Sequence, residues 1–92
     1  MSIVNIAAYK FVPLCAPAAL RDELRLLCHA RALRGTILLS AEGINLFIAG
    51  VPDAVEALIA RLQGDSRFSD MTYKRSFSRT VPFKRMLVKV KR

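Results

Sequence analysis

The apolar and polar positions divide the chain into short segments of two periods. Ile3 to Val12 is mostly apolar and rich in strand-forming residues, which predicts a first, central strand. Pro13 and Pro17 bracket the loop VPLCAP, and Pro17 suits the first helical turn, where its missing N–H is not needed. From residue 18 to 31, Leu20, Leu24, Leu27 and Cys28 recur at i, i+4, i+7 and i+8, the stripe of an amphipathic helix. Arg21, Asp22, Arg25 and His29 fall on its outer face.

The stretch Arg34 to Gly50, RGTILLSAEGINLFIAG, then places two β-prone runs on either side of Glu42-Gly43, the signature of a hairpin. Both runs are apolar at alternate and intervening positions, which predicts a hairpin buried inside a sheet. Pro52 and Asp53 start a second helix, Val55, Leu58, Ile59 and Leu62 supply its stripe, and Gly64 stops it. After the connector Asp65-Ser66-Arg67-Phe68, a fourth strand is expected from about Met71 to Phe77 and a fifth from about Lys84 to Lys91. In the fifth, Met86, Val88 and Val90 face one way and Arg85, Leu87, Lys89 and Lys91 the other.

The order βαββαβ with an extra C-terminal strand predicts an α+β, ferredoxin-like sandwich with both helices on one sheet face. The other face then meets solvent, RNA or another domain. Whether the fifth strand pairs with the fourth or crosses to the opposite edge is left open by the pattern.

Length and composition bound this picture. Ninety-two residues, 53% of them hydrophobic, make one domain with one modest core. No apolar run approaches the roughly 18 residues of a membrane-spanning helix. The start MSIVNIAAYK lacks the basic opening of a secretory signal, so a cytoplasmic protein without a membrane partner is expected.

Charge changes the picture more than composition does. Residues 1–72 carry seven basic and seven acidic side chains; the last twenty carry eight cations and no acid, which accounts for the whole net charge of +8. Lys74, Arg75, Arg79, Lys84, Arg85, Lys89 and Lys91, with Arg92, are thus candidates for contacting a phosphate backbone. The plain structural reading is a solvated strand whose lysines protect a sheet edge.

Other chemistry is sparse. Cys15 and Cys28, with His29, do not supply the four ligands of a structural zinc site, and they read as free thiols acting as small apolar residues. His29 reads as a surface or boundary histidine. An RNA-recognition module of this fold stacks bases on aromatics of its central strands. Here only Tyr9 and Phe11 on the first strand and Phe47 on the third are available, and scattered aromatics are expected in the core. An acylphosphatase needs an arginine phosphate cradle in a Gly-rich loop, and VPLCAP has neither residue. No catalytic residue, metal site or cofactor is expected. Glu42 and Asn45, in the hairpin turn, are weak binding candidates.

In order along the chain, RGTILLSAEGIN, DSRF at Asp65 to Phe68, K-x-S at Lys74 to Ser76 and PFKRMLVKVK from Pro82 resemble the N-terminal domain of the rhodanese-like tRNA uridine hydroxylases. The chain departs from that family at Leu46-Phe47, where Gly-Thr is common, and at Leu87, where Lys is usual. The resemblance implies an acylphosphatase-like fold and an auxiliary domain, residues 1–92, preceding a rhodanese domain that carries the catalytic cysteine. It implies tRNA and that rhodanese domain as partners, and wobble-uridine hydroxylation as the activity of the whole protein. Neither cysteine here matches the catalytic one. Two further readings follow from the residues: a domain that packs on the catalytic domain without touching RNA, and an independent acylphosphatase-like hydrolase.

Overall fold

A computed structural model describes residues 2–91; Arg92, the last of the eight C-terminal cations, lies outside the described residues. The elements are β1 (Ile3–Phe11), α1 (Pro17–Ala30), β2 (Arg34–Ser40), β3 (Gly43–Gly50), α2 (Pro52–Gln63), β4 (Lys74–Ser78) and β5 (Met86–Val90). They form a five-stranded sheet of order β4-β1-β3-β2-β5, antiparallel except for the parallel pair of β2 with β5. This is the expected α+β, acylphosphatase-like ferredoxin fold with an added strand. The fifth strand takes the edge opposite the fourth. There it extends β2 from Gly35↔Met86 to Leu39↔Val90, and the Arg25 side chain of α1 donates from Nε to the Val88 carbonyl at 3.1 Å.

The core lies between the sheet and its single helical layer. Leu20, Leu24 and Cys28 of α1 and Val55, Leu58, Ile59 and Leu62 of α2 are buried, as their spacing predicts. They meet Val4, Ile6, Ile37, Leu39, Ile44, Leu46, Ile48 and Val88 from alternate positions of the strands. Phe68 of the connector is fully buried beneath them, and the Arg67 guanidinium lies 5.2 Å from its ring centroid. Asp65 holds that turn: its carboxylate accepts from Arg67 Nε at 2.9 Å and Nη2 at 2.6 Å, a two-point pairing that fixes both side chains.

The hairpin is buried on one side only, which corrects the expectation of two covered faces. Asn45 and Phe47 are exposed, and Thr36, Leu38 and Ser40 are half-buried, because both helices pack on the same sheet face. Two glycines set the hairpin's backbone. Gly35 has φ +130°, and a Cβ there would sit 1.9 Å from the Phe47 carbonyl oxygen; Gly43 has φ +151°, and a Cβ would sit 2.0 Å from that of Lys10. Only glycine admits both the positive φ and this approach of neighbouring backbones.

Candidate nucleic-acid interface

Strand pairing fixes which side chains share the uncovered face. Directly opposed residues stand side by side on one face of the pleat. One row across the sheet therefore reads Tyr9, Asn45, Leu38 and Lys89, from β1 to β5. The next row reads Lys74, Ala7, Phe47, Thr36 and Leu87, from β4 to β5. Arg34 stands on this face one row further, opposite Ala49. No strand position of the uncovered face carries a carboxylate among the described residues.

The C-terminal cations do not make one strip. β4 and β5 occupy opposite edges, four strand intervals apart, or about 19 Å at about 4.8 Å per interval. Lys74 rises from one edge and Lys89 from the other. Lys91 follows Lys89, anchored by its backbone N–H donating to the Leu39 carbonyl at 2.6 Å. Arg75 is opposite Ile6 and so faces the helical side, where its guanidinium pairs with Glu56 of α2. Arg79 is exposed in the link after β4, and Lys84 and Arg85 are exposed just before β5. The cations thus frame the uncovered face from two sides rather than lining a single strand.

At the hairpin end of this face a depression of about 440 Å³ is lined by Tyr9, Phe11, Leu38, Ser40, Glu42, Asn45 and Lys91 among others. That volume lies in the range of small-ligand sites. Glu42 of the turn and Asn45, which the structure places on β3 rather than in the turn, are brought to it together with Lys91. The turn is braced by the Glu42 N–H donating to Ser40 Oγ at 3.1 Å and by Val12 N–H donating to the Glu42 carbonyl at 2.9 Å. The other nearby carboxylate, Asp70, is paired with Lys10, whose hydrogen bond and charge hold it below its ordinary titration range.

The aromatics depart most clearly from the sequence reading. Tyr9, Phe11 and Phe47 are 68%, 81% and 49% exposed, so they belong to the uncovered face and not to the core. Their alternation with buried Ile6, Ala8, Leu46 and Ile48 carried that information, since the strand period sends every second residue to the face that has no helix. Arg34 was missed for a different reason: it lies in the charge-balanced part of the sequence and joins the patch only through strand pairing. Cys15 is exposed and Cys28 fully buried, so the small-apolar reading describes Cys28 alone; burial pushes its thiol up to about 11. His29 is exposed near the end of α1.

Residues 3–92 match the family described as the UPF0176 acylphosphatase like domain. The chain belongs to that family. A relative called tRNA uridine(34) hydroxylase from Variovorax paradoxus (strain S110) is 56% identical over 90 residues, 98% of this chain and 34% of the relative. The chain therefore spans about a third of the length of the curated relatives it matches. Among solved structures, BlrP1 BLUF superposes with TM-score 0.78 at 18% identity, covering 98% of this chain and 64% of that one. The acylphosphatase from Bacillus subtilis superposes with TM-score 0.61 at 17% identity, covering 99% and 100%. At such identities these likenesses show the shared fold alone. Among the described residues, no helix of this UPF0176 domain is long and apolar enough to cross a membrane.

Proposed function

We propose that this chain is the N-terminal, tRNA-holding module of a tRNA uridine(34) hydroxylase, in which a following rhodanese domain performs the oxidation. The name and identity of its relatives support the enzyme class. The observation that supports RNA contact is the uncovered sheet face, framed by Lys74 on one edge and Lys89 and Lys91 on the other, with Arg34 between and, among the described residues, no strand carboxylate to oppose them. The module's work is electrostatic: lysine and arginine meet phosphates and set the tRNA's position, without themselves reading sequence.

Each phosphate neutralised releases condensed counterions, so affinity should fall with salt. Four contacts at roughly −0.7 each give a log–log slope of about −3. Binding of tRNA to the wild-type chain is measured across a salt series, alongside a variant with Lys74, Lys89 and Lys91 changed to Ala. The variant should bind more weakly and with a slope nearer about −1. Equal affinity and slope in the two proteins would sink the proposal. A domain that only packs on the catalytic domain predicts negligible tRNA binding by the wild-type chain at every salt concentration.

A further inference from the structure

We propose that Tyr9, Phe11 and Phe47 form a platform on which unpaired bases of an RNA strand stack, with one base seated in the depression beside Asn45 and Lys91. The inference rests on the tRNA-holding reading and names which part of the RNA meets this face. Three large rings stand in water on the two adjacent central strands, at the positions that face away from both helices. Tyr9 and Phe11 have centroids 6.0 Å apart at 70°, so they are not stacked face to face on each other. Phe47, opposite Ala7, is diagonal to Tyr9 across the β1–β3 pair, about 7–8 Å away between backbones, a spacing that aromatic side chains span.

The surroundings select the occupant. Lys89 stands in the same row as Tyr9, and Lys74 in the same row as Phe47. An apolar protein surface laid on the rings would have to strip water from those ammonium groups without pairing them. A single nucleic-acid strand matches both features at once, with flat apolar bases for the rings and phosphates for the lysines. A duplex does not, because its base faces are already stacked inside the helix. Asn45 lies between Tyr9 and Leu38, and its amide has both donors and an acceptor for the edge of a seated base.

The test compares a short single-stranded RNA with the same sequence as a duplex, using anisotropy titrations of the wild-type chain and of Tyr9→Ala, Phe11→Ala and Phe47→Ala. The three positions are exposed, and circular dichroism confirms that each variant is folded. Each should weaken single-strand binding by about 5- to 150-fold, the range for losing one stacked base, while leaving duplex binding and the salt slope unchanged. In a Tyr73→Phe background, Tyr9 is the sole tyrosine, and its fluorescence should be quenched on adding the single strand. Aromatic variants that bind the single strand like wild type overturn the platform while the lysine-dependent salt slope still supports tRNA holding. Variants that abolish self-association in light scattering, with RNA binding unchanged, overturn it in favour of a protein contact. Absence of RNA binding by the wild-type chain overturns both readings.

Discussion

Replacing Gly43 with alanine should destabilise the domain severely, by a mechanism visible in its backbone. The new Cβ would lie 2.0 Å from the Lys10 carbonyl oxygen and 3.1 Å from the Phe11 Cα, where ordinary contacts begin at 3.4 Å. At φ +151° an L side chain is also strained, by about 1–3 kcal/mol. Relief requires β3 to withdraw from β1 at the Phe11↔Gly43 pair. That movement pulls on the bonds Val12 N–H to Glu42 O and Leu14 N–H to Ala41 O, which tie the turn to the chain leaving β1. Losing one or two of these at about 1 kcal/mol each brings the total to about 2–5 kcal/mol. A domain of this size has about 5–14 kcal/mol to lose. With about 4–8 °C of Tm per kcal/mol, the midpoint should drop by at least about 8 °C in thermal circular dichroism. Gly64→Ala is the matched control, since Gly64 has negative φ and its nearest atoms would lie 3.5 and 3.6 Å from an added Cβ. It should be neutral or stabilise by up to about 1 kcal/mol. A Gly43→Ala midpoint within about 2 °C of wild type, or equal shifts in both variants, would refute the reasoning.

Three further outcomes follow from the same fold. Phe68→Ala removes a fully buried ring and should cost about 3–5 kcal/mol in urea unfolding. Asp65 has its carboxyl held well below the usual carboxylate range, chiefly by the Arg67 hydrogen bonds and against the desolvation of partial burial. Because the folded state depresses this pKa, the stabilisation is complete above the unfolded value near 4 and is lost as pH falls below it. The Tm gap between wild type and Asp65→Asn should therefore be largest near neutral pH and narrow steadily in acid; a gap that widens in acid contradicts this assignment. In thiol titration at about pH 8, exposed Cys15 should react at once and Cys28 only on unfolding, since burial has raised its pKa to about 11.

Periodicity made most of the fold legible. The stripes of Leu20, Leu24 and Cys28 and of Val55, Leu58, Ile59 and Leu62 gave both helices and their buried faces, because a 3.6-residue repeat admits one arrangement. The place of β5 was not legible, since Met86, Val88 and Val90 alternate equally well beside β4 or β2. What separates these is three-dimensional: the β2 edge lies under α1, where Arg25 reaches the Val88 carbonyl. The site was half legible. The excess of cations after Thr72 was plain in the sequence, but their division between two edges depends on strand order. Tyr9, Phe11 and Phe47 looked like core residues because apolar content was weighed without asking which sheet face the helices leave bare. Arg75 matched its neighbours by charge, yet one step along β4 turns it to the helical side and to Glu56.

The parallel pair of β2 with β5 also governs when the domain can be finished during synthesis. Thr36 waits for Leu87, and Ile37 for Val88, so the sheet's outer seam closes only after the other six elements have left the ribosome. Until then β2, paired only to β3, leaves its outer side open to strands of other nascent chains, and α1 lacks the partner that Arg25 grips. Such distant pairing is slow to close. A chain cut just before Met86 would therefore keep six of the seven described elements with an exposed seam, a form suited to rapid proteolysis.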